Sequence, residues 1–535
     1  MAKIFLFGIV FSLMILSPFC LAETSYIEVT AKNGTGNSKS ITTALKRIGE
    51  DQRSLLVRRG KWVISEEINI PSNVSLTLEK GASFVIEKEG KLKINGSFEA
   101  EGLYQLFDGE GKVKFGDGFL GQVLPQWWGN LDAQDDDTVI CQSAIDSGAL
   151  CVRFPKGKYD IDAVKKGPKT DPNDDNQWYG GLDVASNLTL TFDPGAVIKV
   201  IPNDARVYSV VRITGKENVR ISGAVIDGER DEHKGTTGEW GHGIAIRGQS
   251  KNITIENVMV SGCWGDGIYI GEGCPEDVLV ENSKFDNNRR NACSITQGRN
   301  VLFKKCTFSN THGTGPHKGV DIEPNVESDV ISNVVFEDCY SYKNLTQGFS
   351  LARDDKQNHP VTVTFRGCIS EGDGTGFGID IGPSDTAGVV YISNCVSINA
   401  QESGFRCTSA NMPLQIDGLY IVNPNQKNEK PVFGSGFVLW CKVPYYKDKD
   451  RVKYTGNITA RNVNVFSSDG KAHFALYMDN ELGDKSGFKN IDIELKTNMP
   501  DEKRFYKGNG PFTGYFKINF SDKMDAVGQT NNAVK

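Results

Sequence analysis

Gly243-Ile244-Ala245-Ile246, Gly267-Ile268-Tyr269-Ile270, Ala292-Cys293-Ser294-Ile295, Gly319-Val320-Asp321-Ile322, Gly348-Phe349-Ser350-Leu351, Gly378-Ile379-Asp380-Ile381, Gly404-Phe405-Arg406-Cys407 and Gly436-Phe437-Val438-Leu439 all fit one pattern. A small residue is followed by an apolar residue, any residue, and a second apolar residue. The copies recur at steps of 24, 25, 27, 29, 30, 26 and 32 residues. Self-similarity at such a period is the mark of a solenoid, in which each repeat covers the apolar face of its neighbour.

Two further strand-like pieces fill each repeat. One opens on Asn or Asp, as in Asn218-Val219-Arg220-Ile221, Asn252-Ile253-Thr254-Ile255, Asp277-Val278-Leu279-Val280 and Asn300-Val301-Leu302-Phe303. The other follows a short turn, as in Cys306-Thr307-Phe308, Cys339-Tyr340-Ser341, Cys368-Ile369-Ser370 and Cys395-Val396-Ser397. Alternating apolar positions over four or five residues give strands with one face inward. Three short strands per turn describe a coil of a parallel β-helix. The fold class expected is therefore all-β, a right-handed parallel β-helix with a short N-terminal capping helix. The four cysteines then stack in the interior about 4.8 Å apart, and the opening asparagines form a turn ladder bonded amide to amide.

The ends of the chain bound its organisation. Lys3, the apolar run Ile4 to Leu16 and Ser17-Pro18-Phe19-Cys20-Leu21-Ala22 read as a secretory signal over residues 1–22. No later run approaches the roughly 18–20 apolar residues of a membrane span, so the expectation is a chain without a transmembrane segment, secreted, periplasmic or at the cell surface. Residues 23–125 read as an N-terminal β-module and 126–535 as the β-helix, with Pro125-Gln126-Trp127-Trp128-Gly129 as the joint. The net charge is −7, and losing the leader with Lys3 takes it to −8. That balance argues against nucleic acid, which needs a basic footprint. Cys141 with Cys151, or Cys263 with Cys274, are spaced to close short disulfide loops.

A stack of coils has two open ends that need cover. Residues 138–161 supply an amphipathic helix and then a strand, and Ile41–Ile48 with Leu55–Trp62 form a weaker copy. Asp136-Asp137-Thr138, the helix through Ala144-Ile145, and Phe154-Pro155-Lys156-Gly157-Lys158-Tyr159 resemble the N-terminal segment of pectate-lyase-superfamily β-helices. That group includes tailspike depolymerases and polygalacturonase-like hydrolases. The resemblance covers about residues 126–440 and implies the fold and a polysaccharide or oligosaccharide partner. It does not choose a reaction, because hydrolases, lyases, epimerases and binding proteins share the scaffold.

In the repeated pattern the third residue points outward, which stacks Ala245, Tyr269, Ser294, Asp321, Ser350, Asp380, Arg406 and Val438 in a column. Two residues on, Arg247, Thr296, Glu323 and Thr408 make a second. Asp321, Glu323 and Asp380 are the candidate acid and base, about 6.6 and 9.6 Å apart by strand and coil spacing, which leans towards inverting hydrolysis. Arg289 and Arg290 are candidates for holding an anionic sugar. His312 and His317, in the Gly/Pro-rich loop before Asp321, are candidates for substrate contact and proton transfer respectively. Tyr269, Trp264 and Arg406 complete the expected binding set, and Trp240, Trp178 and Tyr179 add aromatic surface. Gly241-His242-Gly243 is similar to a polygalacturonase motif, but that family's Asn-Thr-Asp and paired-Asp motifs are missing.

No metal spacing is present except a partial calcium loop. Asp171, Asn173 and Asp175 match its first three ligand positions, but Asn176 replaces the glycine and Leu182 the closing Glu. The expectation is no cofactor, with Ca²⁺ as the one ion the loop could hold weakly. A secreted glycoside hydrolase is the leading expectation. A lyase or C5-epimerase acting on a uronan, and a non-catalytic glycan-binding surface protein, are the alternatives.

Overall fold

The computed structural model describes residues 26–100, 102–131, 135–164, 180–353, 359–381, 387–408, 412–442, 454–481, 486–508 and 510–521. The secretory signal expected at 1–22, the loop carrying Asp171, Asn173 and Asp175, and the aromatics Trp178 and Tyr179 lie outside the described residues. Two compact units are present: residues 26–102 with 109–119, and residues 103–108 with 120–521.

The first unit is built of parallel strands. Tyr26–Val29, Arg53–Val57, Val74–Leu78 and Phe98–Ala100 pair in that order, as do Glu67–Ile70, Lys91–Ile94 and Lys112–Phe115. Their alternate residues Leu55, Val57, Leu76, Leu78, Leu92 and Ile94 are buried, as the period of two requires. Trp62 fills the same core against Gly36, where a side chain would collide with the indole.

In the second unit one coil shows the plan of all. Ile268–Ile270, Glu276–Glu281 and Lys284–Asp286 are its three strands. Each pairs in parallel with its counterpart one coil on: Ile268 with Cys293, Val278 with Val301, Phe285 with Phe308. The first strand of every coil joins a twelve-stranded sheet, here termed the first sheet, running from Leu182–Asp183 to Phe505–Lys507. From Gly388–Ile398 onward the second and third strands merge into single long ones, and irregularities at Ala460/Val463 and Lys489/Ile491 mark the later coils.

The interior is stacked in columns of like residues. Phe303, Phe336 and Phe365 lie ring on ring at 4.9 and 5.6 Å, and Phe349 meets Phe377 at 5.2 Å. Cys306, Cys339, Cys368 and Cys395 are all buried. Each thiol contacts a backbone carbonyl of the preceding coil, at Val280, Phe303, Phe336 and Phe365. On the turn outside, Asn218 donates to Asn187 (2.8 Å), Asn252 to Asn218 (2.7 Å) and Asn333 to Asn300 (3.0 Å). These asparagines sit at φ between 52 and 58°, a left-handed conformation that Asn tolerates better than most residues. The expected cysteine and asparagine ladders are therefore both present. The expected disulfides are not: Cys141, Cys151, Cys263 and Cys274 are free thiols.

The cap works through one side chain in particular. The helix Thr138–Ile145 sends Gln142 across the open edge of the first sheet, where its amide donates to the Asp183 carbonyl (3.0 Å) and accepts from the Asp183 N–H (2.9 Å). Asp137 and Thr138 accept the N–H groups of Asp160 and Asp162 at 2.9 and 2.8 Å. Backbone groups that a further coil would satisfy are thus met by side chains.

Candidate functional site

The outward column holds as expected from Ala245 through Tyr269, Ser294 and Asp321 to Ser350. It then departs from the sequence reading. Ser350 pairs with Gly378, not Asp380, and Gly378 pairs with Arg406. The coil's true pattern is Gly376-Phe377-Gly378-Ile379, two residues earlier. Asp380 therefore belongs to the second column, beside Ala352 and Thr408, where it is exposed. It is not a stacked partner of Asp321.

A cleft of about 370 Å³ opens on the first sheet, lined by Trp240, His242, Tyr269, Glu272, Arg290, Ser294, Thr296, Asp321, Glu323 and Asn325. Its floor is organised by the residue just before each coil's pattern. The Asp266 N–H donates to His242 Nδ1 (3.2 Å), the Asn291 N–H to Asp266 Oδ1 (3.0 Å), and the Lys318 N–H to Asn291 Oδ1 (2.9 Å). Each coil thus fixes the side chain of the one before it. A backbone N–H can only donate, so His242 Nδ1 is an acceptor and the ring proton sits on Nε2. Burial, with Arg247 and Arg290 nearby, holds this imidazole far below its ordinary pKa, so it is neutral.

Asp321 is buried at 1% exposure. Lys318 Nζ reaches its Oδ1 at 2.7 Å and the Asn291 amide donates to its Oδ2 at 3.2 Å. Glu323 follows two residues later on the same strand end, and burial, then the Asp321 charge, push its carboxyl up to about 7. Arg290 stands over the pair's flank, with Nε 3.2 Å from Glu239 Oε2 and Nη1 3.2 Å from Asp266 Oδ2. Asp266 is fully buried, and desolvation raises its pKa against the opposing pull of Arg290. Burial works against the Arg290 charge, but Asp266, Asp321, Glu239 and Glu323 together raise its pKa.

Four of the expected site residues thus meet in the cleft: Asp321, Glu323, Arg290 and Tyr269. Tyr269 contributes its hydroxyl, which lies 2.9 Å from Thr296 Oγ1, because its ring is packed between His242 (4.9 Å) and Arg247 (4.8 Å). Trp264 is not a sugar platform. His233 stacks on the indole at 3.7 Å and the Arg289 guanidinium lies over it at 3.7 Å, which covers both faces. Arg289 also donates to the Gly238 carbonyl at 2.7 Å, so it holds a loop. His312 is exposed with Nδ1 on the Asn310 carbonyl (2.8 Å). His317 is half-buried, with its pKa lowered by burial, and neither histidine lines the cleft. Arg406 pairs with Glu402 at 2.8 Å, three coils beyond Asp321.

The sequence reading assigned no role to Glu239, Glu272, Asn291, Lys318 or Thr296. Asn291 and Lys318 stand one residue before the repeated pattern, as Asp266 and His242 do, so that offset read as a third column would have found them.

Residues 242–440 match the family model for the right handed beta helix region. The described coils and this match agree on an all-β, right-handed parallel β-helix. Two curated relatives come from Bacillus subtilis (strain 168). The uncharacterized protein YclG is 35% identical over 38% of this chain and 37% of its own length. The SPbeta prophage-derived uncharacterized protein YorA is 31% identical over 44% of this chain and 46% of its own length. This chain therefore spans less than half the length of the curated relatives it matches. Among solved structures, the A-module of the Azotobacter vinelandii mannuronan C-5 epimerase AlgE6 has 16% identity and a TM-score of 0.49, covering 75% of this chain and 100% of that one. The Yersinia enterocolitica family 28 exopolygalacturonase has 12% identity and a TM-score of 0.49, covering 75% and 78%. Likeness at this level says nothing about chemistry, and the fold rests on the strand pairing itself.

Proposed function

We propose that the chain is an exported glycoside hydrolase that takes a polysaccharide across the coils of the first sheet, with Glu323 as proton donor. The observation that carries this reading is the state of Glu323, a carboxyl held near 7 on the wall of an open polar cleft. Such a group keeps its proton up to neutrality and can pass it to a glycosidic oxygen as the bond breaks. Asp321 supports it by proximity, since a second carboxylate nearby makes ionisation of the first unfavourable.

The cations in and behind the cleft wall favour hydrolysis over proton abstraction from a uronate. Arg290 is engaged by Asp266 and Glu239, Lys318 by Asp321, and Arg247 by Glu272 at 2.9 Å. A lyase or C5-epimerase must neutralise the substrate carboxylate before removing the adjacent proton, and among the described residues each of these charges already has a protein partner. Trp240, 39% exposed at the cleft, is placed to stack on a sugar ring.

The test is turnover of a panel of neutral and uronate-containing polysaccharides by the purified protein, read for new reducing ends and for ultraviolet-absorbing unsaturated products. Reducing ends alone support hydrolysis. Unsaturated ends would make the protein a lyase, and no turnover with retained binding would make it a glycan-binding scaffold.

A further inference from the structure

We infer that Glu272 is the base of this reaction, the group that takes a proton from the attacking water across the cleft from Glu323; the inference rests on the proposed hydrolysis. Glu272 follows the strand Ile268–Ile270 with φ of 52°, in a left-handed conformation that non-glycine residues other than Asn and Asp rarely adopt. Here it accompanies a carboxylate turned back over the first sheet, where Oε2 lies 2.9 Å from Arg247 Nε and Oε1 accepts from the Tyr269 hydroxyl at 3.3 Å. Arg247 is itself fixed, buried at 5% exposure, with Nη1 donating to Ser209 Oγ at 3.0 Å. Both oxygens are thus aimed, yet the Glu272 side chain remains 49% exposed on the cleft wall and open to water.

The two residues stand on different coils of one sheet. Ile270 pairs with Ile295 and Ile295 with Ile322, so Glu272 and Glu323 leave the sheet two coils apart, about 9.6 Å strand to strand. Inverting glycosidases hold acid and base roughly 6.5–9.5 Å apart so that a water fits beside the sugar. Asp321 cannot be that second group, because it is buried at 1% exposure with its two oxygens engaged by Lys318 and Asn291. Asp266 cannot either, being fully buried and tied to Arg290. Thr296 lies on the coil between, its hydroxyl bonded to Tyr269, and offers a donor or acceptor to the bound sugar.

In the step, water oxygen bonds to the anomeric carbon while the bond from that carbon to the glycosidic oxygen breaks. Glu323 gives its proton to the departing oxygen, and Glu272 receives one from the water. The product is a reducing sugar of inverted anomeric configuration, and no further reactant is needed.

The experiment uses the full chain on polygalacturonate, xylan, dextran and a bacterial capsular polysaccharide, with the first-formed anomer read by NMR. The expected result is inversion by the wild type, and for Glu272→Gln a fall in kcat of at least 100-fold with KM within about two-fold and the acidic limb of the pH profile lost. Retention of configuration by the wild type, a measurement that needs no variant, overturns the assignment. So does a kcat within a few-fold of wild type in folded Glu272→Gln or Glu272→Ala. Failure of the underlying reading shows separately: a wild type that releases no reducing ends, or only unsaturated products, sinks the hydrolysis and this inference together.

Discussion

Asp321 and Glu323 stand two residues apart at the end of one strand, and Lys318 and Asn291 engage the Asp321 carboxylate, one oxygen each. The asymmetry assigns the roles. Asp321 is the fixed charge, and Glu323 is the group whose proton can move.

A pH dependence of stability follows. The folded-state pKa of Glu323 is raised from 4.5 to about 7, so the folded protein keeps a proton that the unfolded chain releases. The Glu323 contribution to stability should therefore fall as pH rises from about 4.5 to about 7 and level off above, by on the order of 3 kcal/mol. Urea midpoints at pH 5 and pH 8 check this. Asp137 and Asp373, raised by burial to about 6, titrate in the same window, so Glu323→Gln should shrink the difference without abolishing it, and an unchanged difference in that variant would place the Glu323 titration elsewhere.

The stack of His233, Trp264 and Arg289 is expected to behave as structure. Arg289→Ala should lower stability by about 1–2 kcal/mol through loss of the cation–π contact and the bond to the Gly238 carbonyl, with KM little changed. Thermal melts alongside kinetics separate the two effects. A variant of native stability with a tenfold higher KM would return Arg289 to the substrate.

Much of this was legible in the sequence because a coil's interior obeys a simple alternation, and Ile268, Cys293 and Val320 declare it. The frame failed at Asp380 for a local reason. Gly376-Phe377-Gly378-Ile379-Asp380-Ile381 satisfies the pattern in two frames, and only the spacing tells them apart, since a glycine at 376 turns steps of 30 and 26 into two steps of 28. The outward acids Asp321 and Glu323 could be read from strand geometry. Trp264 could not, because the residue that covers it, His233, comes from an excursion of the preceding coil. Glu272 is set by a turn conformation for which no repeat gives a sign.

The cysteine ladder should matter for packing alone. Cys339→Ala should cost on the order of 1 kcal/mol, as a small cavity does, and leave turnover intact. The four thiols are buried, so they should resist alkylation in the native protein and react on unfolding. Fast native labelling would reverse the strand register.

The asparagine ladder separates two costs. Asn252→Ala loses the amide bond to Asn218 and forces alanine into φ of 56°, for a loss of about 2 kcal/mol. Asn252→Gly loses only the bond and should fall by about half as much. Chemical denaturation of both variants checks the order, and equal losses would mean that the backbone conformation carries no cost.

Whether Glu323 supplies the proton for glycosidic cleavage is decided by the pH profile of reducing-end release by wild type and Glu323→Gln on the same polysaccharide. The wild type should lose activity as pH rises through about 7, and the variant should be at least 100-fold slower at its best pH, with glycan binding retained. Full activity in Glu323→Gln, or release of unsaturated products in place of saturated reducing ends, would show that Glu323 is not the proton donor of a hydrolysis.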